Sequence, residues 1–236
     1  MNQIIDYRKF CHDQKLEMNL DVQIITEVTG LNDKERYVCL TFDDGPSIEY
    51  TPQILDILRE HNVHATFFVL GEFVSYFPEV ARRIIEEGHE IANHTFSHPE
   101  LHNLSQSELL SELLRTETEI ASVIENEKCK LFRPTYGVFS ADTVENVRKL
   151  GYKFVLWSRT MLVKDWELPG VDIMVNTITR HLKNGAIILL HDGGGNRDQT
   201  VQTIREVIPV ILKKGYSIIT VSELLNLSTT KGNSSE

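Results

Sequence analysis

Tyr37-Val38-Cys39-Leu40-Thr41-Phe42-Asp43-Asp44-Gly45-Pro46 is an apolar run that ends abruptly in two carboxylates and a tight turn. A short run rich in β-branched and aromatic residues reads as a buried strand, and Gly-Pro as its stop. The pattern recurs at Ala65–Leu70, Glu90–Asn93, Lys130–Phe132, Lys153–Trp157, Ala186–Leu190 and Ser217–Thr220. Helical patterns lie between these runs. One opens at Thr51-Pro52, a cap followed by proline at the first helical position. Another runs from about Glu79 to Glu87 and stops at Gly88. The longest opens with Ser105 and Glu108 as a capping box and carries the stripe Leu109, Leu110, Leu113, Leu114, Ile120 and Ile124. Further helices cover Ala141–Leu150, Val171–Leu182 and Gln199–Lys214, with Pro209 expected to kink the last, and a short one begins near Ser222. Strands alternating with helices imply an α/β fold with a parallel sheet and right-handed crossovers.

Ionisable groups follow the strands. Asp43-Asp44 follows the first, His94 and His98 the third, Arg133 the fourth, Asp165-Trp166 the fifth and His191-Asp192 the sixth. In an α/β barrel the C-terminal strand ends converge on one face; in an open sheet they spread along a crevice. Convergence favours a distorted, incomplete (β/α) barrel of about seven parallel strands. Singly, each group has a plain explanation: a strand-end hydrogen bond, a surface ion pair, a core tryptophan. Jointly those explanations lose weight, because all the groups fall at the same end of successive strands. Adjacent carboxylates repel unless a cation binds one of them. Two imidazoles four residues apart can face one ion, and Pro99 confines His98 to a single turn or a loop. With one aspartate they make a two-histidine, one-carboxylate set that leaves positions open for water and substrate.

The chain has 236 residues, 24 Lys and Arg against 34 Asp and Glu, and a formal net charge of -10. That balance speaks against nucleic acid as a partner, since nothing neutralises phosphate in bulk. Three cysteines, Cys11, Cys39 and Cys129, are odd in number and widely spaced, so neither a disulfide framework nor a zinc knuckle is implied, and Cys39 reads as buried and reduced. No apolar run reaches the length of a bilayer-spanning helix. Met1 to Lys15 lacks an apolar signal core, so the chain as written reads as cytoplasmic; an extracellular or cell-wall location would follow if an export signal had been removed. Oligomeric state is not legible. His12, His61, His64, His89, His102 and His181 lack any strand-end context and read as structural or exposed.

The ordered set Thr41-Phe42-Asp43-Asp44-Gly45-Pro46, His94-Thr95-Phe96-Ser97-His98-Pro99, Arg133-Pro134-Thr135-Tyr136-Gly137, Asp165-Trp166 and Ile188-Leu189-Leu190-His191 resembles the polysaccharide deacetylase family, the NodB homology domain of carbohydrate esterase family 4. The resemblance covers about residues 37–225. It implies a distorted barrel of fewer than eight strands. It also implies a metal-dependent hydrolase that removes N-acetyl groups from N-acetylglucosamine-containing poly- or oligosaccharide. By that resemblance Asp44, His94 and His98 are the metal ligands, Asp43 the general base and Arg133 its partner. His191 is then the general acid, oriented by Asp165. The backbone N–H of Tyr136 serves the oxyanion, and Trp166 and Leu189 line the acetyl pocket. Zinc is the default ion, with cobalt, nickel, manganese and iron as alternatives.

On this reading residues 37–227 are the deacetylase domain. Residues 1–36 are an N-terminal extension packing on the barrel, in which Asp21–Val28 forms a strand returning at Gly30. Residues 228–236 are a frayed tail. The match departs from the family in three places: Leu162 stands where an aspartate is common, Arg159–Lys164 is long, and, as a minor difference, Thr135 stands where a second proline is frequent. Gly193-Gly194-Gly195 reads as a mobile loop at the rim. The same site chemistry also suits two alternatives, an O-acetyl xylan-type esterase and a cyclic-amide hydrolase. A third is a carbohydrate-binding protein that has lost catalysis, but binding alone does not need an acid-base pair.

Overall fold

The protein was analysed as a computed structural model, which describes residues 4–12, 24–32, 34–124 and 130–229. The first half runs β1 (Ile4–Asp6), α1 (Tyr7–His12), β2 (Ile24–Ile25), β3 (Arg36–Asp43), α2 (Thr51–Glu60), β4 (Thr66–Val69), α3 (Gly71–Tyr76), α4 (Pro78–Glu86), β5 (Glu90–Asn93) and α5 (Gln106–Val123). The second half runs β6 (Leu131–Phe132), β7 (Val138–Ser140), α6 (Ala141–Lys149), β8 (Lys153–Val155), α7 (Val171–His181), β9 (Ala186–His191), α8 (Asp198–Lys213), β10 (Tyr216–Ile218) and α9 (Val221–Thr229).

All seven expected strands are present, parallel, and curled into a half-barrel. β3 lies at its centre. Its last six residues are buried, because helices cover one face and side chains fill the other. β9 takes one edge over Val38–Asp43; the other edge is shared by β10 at Arg36–Val38 and β4 at Thr41–Asp43. Both edges of β3 are therefore occupied, which is why the segment before it does not pair there. Ile24–Ile25 instead runs parallel to β8, and Glu27 bridges to Ala186. With Leu162 bridging to Leu189, these short pairs close the seam between β8 and β9. Residues 21–23, the rest of that expected strand, lie outside the described residues, as do Cys129 and residues 230–236.

Several local expectations need correction. Thr51 does not cap α2: the N-cap is Tyr50, with no side-chain cap, and the Thr51 hydroxyl donates instead to Asp192. The capping box of Ser105 and Glu108 is present, but Leu110 and Leu114 are exposed, and Leu109, Leu113, Thr116 and Ile120 form the buried face of α5. The strand expected to reach Trp157 stops at Val155. Beyond it Leu156 N donates to Ile25 O and Ser158 N to Ile187 O, so the chain crosses the seam. Cys39 is a free, buried thiol. His89 is buried and structural: its Nδ1 accepts from Ala65 N, and burial lowers its pKa to about 4.

Candidate active site

Register brings the site together. Asp43 and His191 are facing partners at the last rung of the β3–β9 ladder. Thr41 and Asp43, two apart on one strand, point to the same face, and one Arg133 nitrogen serves both: Nη1 donates to Thr41 Oγ1 at 2.8 Å and to Asp43 Oδ1 at 2.6 Å. Nη2 donates to Leu156 O at 2.8 Å, and the guanidinium lies 3.9 Å over the Phe68 ring. Arg133 is wholly buried, and burial pulls its pKa down while Asp43 pulls it back. The arrangement is a buried charge held by a charge, hydrogen bonds and an aromatic face.

Asp44, His94 and His98 form a cluster able to hold a metal ion. Asp44 Oδ1 lies 3.5 Å from His94 Nε2 and 3.2 Å from His98 Nε2. His94 Nδ1 sits 2.8 Å from Arg133 O. A carbonyl only accepts, so Nδ1 carries the proton and Nε2 of the neutral ring presents a lone pair to the carboxylate. Asp44 Oδ1 is buried and has no hydrogen-bond partner among the described residues. Facing lone pairs around an orphaned buried oxygen fit a cation.

The loop carrying the histidines is pinned from outside. Asn93 Oδ1 accepts from Thr95 N, while its Nδ2 donates to Leu113 O and Tyr152 OH. Glu112, on α5, accepts from Phe96 N at 2.9 Å and from Ser97 N at 2.8 Å. Asp44, Thr95, His98 and Tyr136 all have positive φ, between 57° and 75°. Such strain persists where the surroundings over-determine it. Pro99 keeps His98 out of a helix, as its position requires.

His191 stands across the pocket. Its Nδ1 is 2.7 Å from Asp165 Oδ1, and its backbone N donates to Asp165 Oδ2, which also accepts from Thr200 Oγ1 at 2.8 Å. Burial alone would lower the pKa of His191, but the Asp165 carboxylate outweighs it and raises the pKa to about 9. Burial likewise opposes the charge on Asp165, and His191 more than compensates. The Trp166 ring meets the imidazole edge-on at 5.3 Å.

A pocket of about 230 Å³ is lined by Asp43, Asp44, His94, His98, Tyr136, Trp166, Leu189 and His191, together with Arg8, Pro134, Gly137, Trp157, Gly194 and Arg197. Arg133 and Asp165 stand behind it, touching the residues they serve. Leu162 forms an isolated parallel bridge with Leu189, which lines the pocket. Sequence reasoning missed Arg8, Trp157, Glu112 and Thr200 as site residues, and it placed Asp192 at a strand end without giving it a role. Asp192 is buried, bonded to Thr51, and pushed up to about 7 by burial and then by Asp44 and Asp43. Of the three glycines expected at the rim, Gly194 lines the pocket and is exposed with Gly195, while Gly193 is buried. Gly193 and Gly194 lie against Asp44, where a Cβ on Gly193 would run into Asp44 O. Arg197 clamps their carbonyls through Nε at 2.7 Å and Nη2 at 3.0 Å.

Comparison with known proteins identifies the family. The family model for polysaccharide deacetylases matches residues 30–155. A peptidoglycan-N-acetylglucosamine deacetylase of Bacillus cereus is 40% identical over 191 residues, covering 81% of this chain and 89% of that protein. A chitooligosaccharide deacetylase of Bradyrhizobium sp. is 38% identical over 200 residues, covering 80% of this chain and 90% of that protein. The chain belongs to the polysaccharide deacetylase family. Among solved structures, a peptidoglycan N-acetylglucosamine deacetylase bound to an N-hydroxybenzamide superposes with a TM-score of 0.79 at 33% identity, covering 85% of this chain and 91% of that one. A carbohydrate esterase family 4 pseudoenzyme from Bacillus anthracis superposes at 0.77 with 28% identity, covering 88% of this chain and 70% of that one. Since a pseudoenzyme shares the fold, any catalytic argument rests on the residues.

Proposed function

We propose that the chain hydrolyses the acetamide of N-acetylglucosamine residues in peptidoglycan or chitin-like glycans, releasing acetate and leaving a free amine on the sugar. The observation that carries this reading is the pairing of Asp43 and His191 across one ladder rung, beside the Asp44–His94–His98 cluster. Asp43 takes a proton from water as its oxygen bonds to the acetyl carbon. Arg133 holds the Asp43 carboxylate in place for that task through its 2.6 Å ion pair. The Tyr136 N–H is assigned to the oxyanion, where a donor already in place costs no reorganisation. His191, held protonated by Asp165, gives its proton to the departing nitrogen as the carbon–nitrogen bond breaks. Leu189 and Trp166 take the acetyl methyl. Asp44, His94 and His98 would hold the metal, for which zinc is the proposed ion; when bound it supplies Lewis acidity to the carbonyl and acidifies water. Residues 37–227 would form the catalytic domain, with residues 1–36 as its extension.

The test is acetate release from N-acetylglucosamine pentamer and from peptidoglycan. Protein is chelator-stripped and reloaded with single metals, beside Asp43→Asn and His191→Ala. Metal-dependent release lost in both variants supports the reading. Release from a small aryl acetate but from neither glycan would replace it with ester hydrolysis.

A further inference from the structure

We propose that Ile4–His12 is part of the substrate cleft and that Arg8 binds the sugar chain, donating from Nη1 to an uncharged glycan oxygen, a hydroxyl or an acetamido carbonyl. The proposal rests on the deacetylase reading above. Arg8 lines the same pocket as Asp43, His98, Tyr136 and His191. It comes from a segment upstream of residues 30–155, where the family model matches.

The segment is fixed immediately before Arg8 by two anchors. Before it, β1 pairs antiparallel with β7, Ile4 facing Ser140 and Asp6 facing Val138. β7 begins directly after the Thr135–Gly137 turn that carries Tyr136. Beside it, the buried Tyr7 donates its hydroxyl to Trp157 O at 2.9 Å, and its ring meets the Trp157 indole edge-on at 5.3 Å. Trp157 in turn packs against Gly137 and lines the pocket. An arginine held this way loses little freedom when a ligand arrives.

The guanidinium is also pre-set. Nε donates to Asp6 Oδ1 at 3.0 Å and Nη2 to Asp6 Oδ2 at 3.2 Å. Nη1 has no partner among the described residues, and the side chain is 40% exposed. The paired Asp6 cancels most of the charge, which favours a neutral oxygen over a carboxylate. Arg197, the other arginine lining the pocket, spends Nε, Nη1 and Nη2 on the carbonyls of Gly193, Asn196 and Gly194. Every guanidinium nitrogen of Arg197 is thus already tied to a carbonyl, whereas, among the described residues, Nη1 of Arg8 has both hydrogens to donate.

The experiment measures the affinity of chelator-stripped protein for N-acetylglucosamine pentamer, and KM and kcat of the zinc-loaded protein, for wild type, Arg8→Ala and Arg8→Lys. Losing one charged donor is expected to raise Kd and KM on the order of tenfold in Arg8→Ala, with kcat within about twofold. Lysine, a single mobile donor, recovers part of that. Urea unfolding at the wild-type midpoint checks that Arg8→Ala folds; should it not, Arg8→Lys carries the affinity test. A Kd within twofold of wild type overturns the proposal. A larger loss on a carboxylate-bearing glycan than on the neutral pentamer overturns the choice of an uncharged acceptor. Wild type that binds the pentamer but releases no acetate refutes the deacetylase reading, while the Arg8 affinities still judge this one.

Discussion

Asp165→Asn tests the electrostatics of the site most directly. Asparagine keeps the shape and one acceptor toward Nδ1 of His191 but removes the charge that raises its pKa to about 9. A rise from the ordinary value of about 6.5 corresponds to about 3 kcal/mol of stability. The sign follows from the direction of the shift. The folded pKa lies above the unfolded one, so this stabilisation is complete below about pH 6.5 and disappears as pH rises through about 9. Between pH 6 and pH 9.5 chelator-stripped wild type should therefore lose about 3 kcal/mol more than Asp165→Asn, read as urea-unfolding free energies. Asp192, raised to about 7, also destabilises the fold as it ionises, but it does so in both proteins and cancels from the difference. An NMR titration of the His191 ring should show its midpoint falling well below 9 in the variant. Equal pH-dependent losses in the two proteins would refute the assignment of the shift to Asp165. In the zinc-loaded enzyme, activity should fall above the His191 pKa, and a cation at Asp44 should lower that pKa by offsetting the pull of the neighbouring carboxylates.

Three further perturbations address the supports. Arg133→Met strands the Asp43 carboxylate in a buried site and should cost about 3–5 kcal/mol in urea unfolding; restoring stability with Asp43→Asn in the same chain would confirm that the stranded charge, not lost packing, is responsible. Glu112→Gln weakens the carboxylate cap on Phe96 N and Ser97 N and should cost about 1–2 kcal/mol together with weaker zinc binding by titration calorimetry. Gly194→Ala places a Cβ 2.6 Å from Asp44 Oδ2 at φ +70°, so zinc affinity should fall by about 10–100-fold, whereas Gly215→Ala, at φ +79° but in open space, should cost stability and leave zinc affinity unchanged.

Much of the fold was legible because its signals are local. Short apolar runs, Gly88 and the Ser105–Glu108 box each act within a few residues, and the strands they delimit are where the chain places them. The strand-end groups were legible for a related reason. A parallel sheet aligns its C-terminal ends, so Asp43, His94, Arg133 and His191 need no long-range information to be grouped. What failed was local reasoning applied to a residue with a distant partner. Thr51 has the position and chemistry of a cap, yet its hydroxyl is engaged by Asp192, 141 residues away. Leu110 and Leu114 fit a helical stripe, yet the face of α5 that turns inward is set by what packs on it.

The supports of the site were illegible for that same reason, and they decide how well it is held. Glu112 reaches back 16 residues from a helix whose pattern marks it as an exposed acid. Thr200 reaches Asp165 across 35 residues, and Tyr7 reaches Trp157 across 150. None of these pairs leaves a spacing rule, because loop closure of any length can deliver them once the barrel exists. Strand ends can therefore be read for the groups a site contains, while the polar contacts behind them fix tautomer, charge and position. His94 shows the division: its place after β5 is written in the sequence, but the proton on its Nδ1 is set by a carbonyl 39 residues away. A pseudoenzyme can share the fold, so an active member is to be told from an inactive one by its strand-end groups together with the contacts that hold them, not by the fold.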